Sequence, residues 1–419
     1  MTEPVVPHGA LEGLRIVEFA HVVAGPLAGG LMADLGADVI HVEPPGSGDT
    51  ARGMGPARDG VHLWWKVSGR NKRSVTIDLR RPEGQELARE LVAGADVAIA
   101  SLRADTLERW GLDWEALHAV NRTLVMLQIS GYGARSSMRS APGLGKVGEA
   151  RSGVVNLTGF PDTPPVHTGF SHGDAVTGLM GAFAVMSAMY RRANDPEFDG
   201  EWIDLALFES LFRVIEWQVI VHDQLGMVPE RMGNRLAIAP AAVVNTYQSS
   251  EGEWITITSA TRRSVVNVIE LVGLTEERLQ ELESQRAQSD LLDEALRRWV
   301  SERATEQALD ELAAAEVVAS RIFSVRDIVN DPIYRELGDL ISVEDPELGP
   351  VQMQGVIPRL LNHAGAVWRT GAALGEDNES VLGRWLGMQP KAVEELRRDG
   401  VIGPVPAAAE RRESVGRAQ

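Results

Sequence analysis

Sixteen consecutive residues, 175–190 (AVTGLMGAFAVMSAMY), carry no charge and are rich in small side chains. A helix lying at a surface needs a polar stripe, so this run predicts a helix buried on all sides. Arg191 and Arg192 end it. Gly178, Gly181, Ala182, Ala184, Ser187 and Ala188 would let neighbouring elements approach closely. Asp174 stands at its start, after a glycine that permits a sharp approach. Two readings of Asp174 compete. Asp is among the favoured N-cap residues. A carboxylate held ionised by the helix dipole is also what a nucleophile or an acid–base group requires.

Such a helix needs layers to lie between, and 419 residues are enough for two domains and a sizeable core. Residues 14–19 form a short apolar run, read as a buried strand. Pro26 suits the first position of a helix, and Leu27, Leu31 and Leu35 share one helical face. Residues 38–43 read as the next strand. Strands at 74–79, 97–101 and 124–129 alternate with helices at 81–93 and 106–110. The repeated order predicts an α/β fold: a Rossmann-like, doubly wound large domain with parallel strands. The first turn lacks G-x-G-x-x-G, and Pro26 removes a donor there, so a dinucleotide site is not expected. Residues 44–60 and 131–153 read as long loops, the second lying over an active site. A strand at 200–207 leads to a helix over 208–225, with Asp204 facing solvent. Residues 226–240 read as a linker. A strand at 254–259 and helices near 263–272, 275–284, 290–300 and 304–315 predict a smaller α+β domain. Strands at 340–343 and 351–357 and helices at 379–386 and 391–399 follow, and the tail from Pro404 is expected to fray. The expected organisation is 1–225 for the first part of the large domain, 226–330 for linker and small domain, and 331–419 for a return to the large domain.

A net charge of −18 disfavours nucleic acid as a partner, and an anionic ligand would need a locally basic pocket. The absence of cysteine removes disulfides, thiolate metal sites and a Cys nucleophile. The scattered histidines show no ligand spacing, so no metal site is expected. No leader and no membrane span are read, which predicts a cytoplasmic protein.

Motifs along the chain carry a resemblance. Gly13-Leu-Arg-Ile-Val-Glu18, Ala24-Gly-Pro26, Ala33-Asp-Leu-Gly-Ala-Asp-Val39, Glu43, Asn71-Lys-Arg-Ser74, Ile129-Ser-Gly-Tyr-Gly133, Thr168 to Gly178 and Gly200-Glu-Trp-Ile-Asp204 stand in order. Gly233-Asn234, Asp331-Pro332, Leu348-Gly-Pro350 and Leu374-Gly-Glu-Asp-Asn378 follow. Together they resemble the family III CoA-transferases, which include formyl-CoA transferase and carnitine CoA-transferase.

The resemblance implies an interlocked-ring homodimer. It implies coenzyme A or acyl-CoA as substrate, a carboxylic acid as the second substrate, and no tightly bound cofactor. Asp174 would attack the thioester, giving a mixed anhydride and then an aspartyl-CoA thioester. Free Asp ionises near pH 4, so the attack would need no base. Val22 and Ala24 match the stretch beside the thioester. Lys72 and Arg109 match basic residues that bind CoA, and Ser101, Leu102 and Arg103 match the segment beside the nucleotide. Val23 replaces a glutamine near the reacting carbonyl, and Glu149-Ala150 stands where the family commonly reads Gln-Ala. Val23, Lys146 and Glu149 are therefore candidates for contact with the acid. Lys146, Arg151 and Arg235 are candidates for a dicarboxylate's far end. His172 is expected to point away from the chemistry. Two alternatives remain: proton transfer, as in alpha-methylacyl-CoA racemase, and a non-catalytic acyl-CoA-binding protein. The racemase pattern has a histidine some thirty residues upstream of the aspartate, and residues 121–166 contain none.

Overall fold

The computed structural model describes residues 8–236 and 243–403. The chain divides into two compact units. One holds the described residues up to Val154, then His167–Val219, then those from Ile333 on. The other holds Val155–Val166 and Ile220–Pro332.

The first unit opens with strand β1 (Arg15–Phe19), helix α1 (Ala24–Asp34) and strand β2 (Asp38–Glu43). A 3-10 turn (Thr50–Gly53), a two-stranded ribbon of β3 (Ala57–Arg58) and β4 (Val61–His62), and α2 (Leu63–Ser68) follow. Next come β5 (Arg73–Thr76), α3 (Pro82–Ala93), β6 (Val97–Ala100), α4 (Ala104–Trp110), α5 (Trp114–Val120) and β7 (Val125–Ser130). Then come α6 (Gly145–Arg151), α7 (Val154–Leu157), where the chain passes into the other unit, and, back in this one, α8 (His172–Asn194), β8 (Glu201–Ala206) and α9 (Glu209–Arg213). Six strands form one sheet in the order β5-β2-β1-β6-β7-β8, every pair parallel. Chain direction across the sheet reverses between β1 and β6, as in a doubly wound fold. Successive residues of β1 face opposite layers: Ile16 packs with Met32, Val39 and Val185, and Val17 with Leu87, Leu91 and Leu107. A hairpin of β12 (Leu340–Asp345) and β13 (Gly349–Gln354) and helices Asn378–Leu386 and Pro390–Arg398 complete this unit.

In the other unit, β9 (Val243–Gln248), β10 (Trp254–Ser259) and β11 (Val318–Arg321) form an antiparallel sheet in the order β11-β10-β9. Its core joins Tyr247, Ile255 and Ile257 to helices Arg262–Leu271, Gln285–Ser301 and Thr305–Ala314.

Several expectations need correction. Helix α8 is longer than the charge-free run and is not buried all round. Gly178, Gly181, Val185 and Ala188 are buried at helical spacing, whereas Leu179, Phe183 and Tyr190 are 56%, 69% and 74% exposed. One face packs on α1 and β7, and the other is apolar but uncovered in the single chain. The 131–153 stretch is not all loop, since its end winds into α6. Asp204 is committed rather than solvated: its carboxylate accepts from the N–H groups of Ala134 and Arg135. The helix expected over 208–225 breaks, with Glu216 at φ 57° between α9 and Gln218–Leu225. The tail from Pro404 and residues 237–240 of the expected linker lie outside the described residues.

Candidate active site

Parallel open sheets bind ligands beyond the carboxyl ends of their strands, at the point where strand order reverses. Here the loops after β1 and β6 meet at that point: the His21 N–H donates to Ser101 Oγ at 2.9 Å. Val22 has φ 70°, a left-handed backbone that a β-branched residue rarely adopts. Such strain persists only where the surroundings impose it. Asp49 does so: its two carboxylate oxygens lie 3.2 and 3.1 Å from the Val22 N–H, and one also accepts from Ala51 N–H.

Asp49 is itself anchored from below. His41 Nε2 lies 3.3 Å from it, and His41 Nδ1 lies 2.5 Å from Glu18. Lys72 Nζ donates to both Glu18 oxygens and to the Pro26 carbonyl. Burial opposes charge on His41, but Asp49 and Glu18 outweigh it and push its pKa up to about 9. His41 is thus a buried cation between two carboxylates. His21 Nδ1 stands 3.7 Å from Asp49. Spacing linked none of these residues, yet donor atoms of His21, His41 and Asp49 all lie within 4.8 Å of one another. They come from a loop, a strand and a turn, so only the fold unites them.

The second half of the site is the start of α8. Ser171 holds the N-cap position without a side-chain hydrogen bond, and Asp174 is the third helical residue. The capping that sequence offered to Asp174 is done from outside the helix, where Glu149 Oε1 accepts from the Gly173 N–H at 3.0 Å. Glu149 is buried, with His167 Nδ1 2.6 Å from its other oxygen. Lys146 Nζ donates to Glu149 and to the Thr168 and Phe170 carbonyls. Burial opposes ionisation of Glu149, but Gly173, His167 and Lys146 hold its pKa below the usual value.

That division leaves Asp174 free. Among the described residues its half-buried carboxylate makes no hydrogen bond and no ion pair. It lies against Gly145, where an added Cβ would fall 1.9 Å from Asp174 Oδ2. One turn on, a Cβ at Gly178 would fall 2.8 Å from the Ala24 carbonyl oxygen. The first two turns of α8 therefore stand directly beside the 22–24 segment. Burial first, and the Glu149 charge second, raise the Asp174 pKa to about 6 against the pull of Lys146. Its ionisation therefore lies nearer neutrality than that of a free Asp.

The other expected site residues divide by their commitments. Val23 is the N-cap residue of α1. Leu102 is half-buried and packs on the core. Arg103 and Arg109 lie on α4 and its cap, exposed beyond β6, and neither has a carboxylate partner among the described residues. Arg109 donates to Thr106 Oγ1 at 3.2 Å. Lys72 is buried on Glu18, and Lys146 and Glu149 are held as above. Arg151 lies over the rings of Tyr132 and Phe208. Arg235, in the other unit, is paired with Asp290 and Asp293. His172 opens α8, its buried Nδ1 without a hydrogen bond.

Residues 11–378 match the family model described as CoA-transferase family III. The chain is similar to a succinyl-CoA–D-citramalate CoA-transferase of Chloroflexus aurantiacus, with 35% identity over 94% of this chain and 99% of that one. It is similar to the beta subunit of a succinyl-CoA–L-malate CoA-transferase of the same organism, with 32% identity over 94% and 98%. Among solved structures, a CAIB/BAIF family protein from Brucella suis superposes with a TM-score of 0.76. That match has 32% identity and covers 90% of this chain and 100% of the other.

Proposed function

The chain belongs to CoA-transferase family III and is a CoA-transferase, and from that premise we propose that it works by covalent catalysis on Asp174. The observation that carries this reading is a carboxylate free of partners, fixed against Gly145 and one helical turn from the Gly178–Ala24 contact. An unpaired carboxylate beside the strand-order reversal is suited to attack rather than to structure.

The steps need no outside proton. The Asp174 carboxylate attacks the thioester carbonyl, forming an acyl-aspartyl anhydride and releasing CoA thiolate. The thiolate attacks the aspartyl carbonyl, forming an aspartyl-CoA thioester and releasing the donor carboxylate. The acceptor carboxylate attacks that thioester, giving a second anhydride and freeing the thiolate again. The thiolate then attacks the acceptor's carbonyl, making the new acyl-CoA and restoring Asp174. Overall one thioester is broken and one is made, with the acyl group held as an anhydride in between, so no ATP is required.

Succinyl-CoA is the proposed donor, and a dicarboxylic or hydroxydicarboxylic acid the proposed acceptor, by likeness to the two Chloroflexus transferases. Val22, Val23 and Ala24 would lie beside the thioester. Ser101, Leu102, Arg103 and Arg109 would line the nucleotide, where a guanidinium suits phosphate oxygens. Lys72 would act through Glu18 rather than on CoA directly. The apolar exposed face of α8 supports a homodimer, since patches of that kind mark interaction surfaces.

Mixing the enzyme with succinyl-CoA and then hydroxylamine tests the mechanism. A hydroxamate on the peptide carrying Asp174, read by mass spectrometry, is the expected result. Asp174→Asn should lose transfer by about a thousandfold or more while CoA binding persists. Full activity in Asp174→Asn sinks the reading.

A further inference from the structure

We propose that Glu149 is a positioning residue for the nucleophile, capping α8 from outside and placing a second negative charge beside Asp174. This rests on the reading of Asp174 as nucleophile. It departs from the expectation that Glu149 touches the acid, because its carboxylate is buried and fully committed.

The geometry assigns two jobs to one side chain. As an acceptor, Glu149 takes the Gly173 N–H, a first-turn donor with no partner inside the helix. That bond fixes the residue next to Asp174. The cap at Gly173 is therefore Glu149 and not Asp174. As an anion, Glu149 shares the first turn with Asp174 and disfavours a second charge there. Gly145 and Gly173 make the approach possible. A Cβ at Gly173 would fall 2.9 Å from Glu149 Cγ, and one at Gly145 would meet Asp174.

The charged and titratable groups facing the pair are Lys146 on α6 and His167 in the loop before α8. Lys146 opposes the repulsion, while the rise in the Asp174 pKa accords with a net excess of burial and negative charge. A glutamine, which stands in the matching segment of the resembling family, would keep the acceptor and drop the charge. Glu149 thus makes this chain's transfer more sensitive to acid than the neutral alternative would.

The two jobs separate in two variants, Glu149→Gln and Glu149→Ala. The donor is whichever of succinyl-, glutaryl- and acetyl-CoA turns over fastest. The rate of covalent adduct formation on Asp174 is followed by rapid quench and intact mass from pH 4.5 to 8. In Glu149→Gln the acid limb should move down by about one pH unit, with the plateau rate within a few fold of wild type. In Glu149→Ala the limb should also move, and the plateau should fall about tenfold or more, because the Gly173 N–H loses its acceptor. An unmoved limb in Glu149→Gln overturns the inference, as does an equal loss of plateau in both variants. No adduct on wild-type Asp174 at any pH overturns the aspartyl reading and the inference with it.

Discussion

Asp174 and His41 have pKa values moved by their surroundings, and each makes a pH prediction. Asp174 has its pKa raised to about 6, so the carboxylate that attacks in the proposed mechanism is lost as pH falls through that value. The expected kcat/KM profile rises with pH and levels off above 7, and a plateau continuing down to pH 5 would contradict it. The raised value also means that charging Asp174 works against the fold. Asp174→Asn should therefore melt higher than wild type at pH 8, with the gain vanishing near pH 4. For His41 the shift runs upward, to about 9, through Asp49 and Glu18 against burial. A raised pKa on a base contributes stability that is full below the unfolded value near 6.5 and is lost as pH rises through 9. Wild type should lose several degrees of melting temperature between pH 7 and 10, and His41→Gln, already lower at pH 7, should show a flatter curve. None of this was legible in sequence. Asp49 and His41 lie in separate segments, and nothing in their spacing shows that a carboxylate from one secures the backbone of a third.

At the scale of elements, the site is two short segments brought together by glycines. The loop after β1 is held in its left-handed turn by Asp49. The start of α8 reaches it because Gly178 has no Cβ to meet the Ala24 carbonyl. Gly145 is equally constrained, by the Asp174 carboxylate rather than by backbone. Gly145→Ala should fold, since alanine suits a first helical turn, yet displace the Asp174 carboxylate. Transfer should fall on the order of a hundredfold with the melting temperature within a few degrees of wild type. Wild-type rates in that variant would show that Asp174 has room to move. The strands and the α1 and α8 helices were readable from apolar runs and small-residue content. Helix α6 was not, because glycines at 145 and 148 look like loop until Leu207 and Asp174 are seen packed against them.

For the whole molecule, the uncovered face of α8 is the largest discrepancy between the reading of 175–190 and the single chain. Leu179, Phe183 and Tyr190 are apolar and open to solvent, with Phe212 and Trp217 exposed on the chain that follows. A surface of this kind is disfavoured in an isolated soluble chain, and a second copy is the proposed cover. Sedimentation should give twice the mass of the 45.4 kDa chain, and Phe183→Glu should reduce that species in favour of monomer or aggregate. A monomeric wild type at micromolar concentration would remove the proposal. Among the described residues no helix is long and apolar enough to cross a membrane.

Sequence alone determined the parallel α/β sheet, the small-residue helix and the family, because period, punctuation and ordered motifs are local properties written along the chain. It could also single out Asp174, but only as a residue with two possible uses. The tertiary structure shows that capping is not its use. Glu149, twenty-five positions upstream, supplies the cap, and Lys146 and His167 hold it there. Which side chain satisfies a helix's free N–H groups depends on what packs against that helix. Contacts between distant segments carry that information, and no local pattern records them.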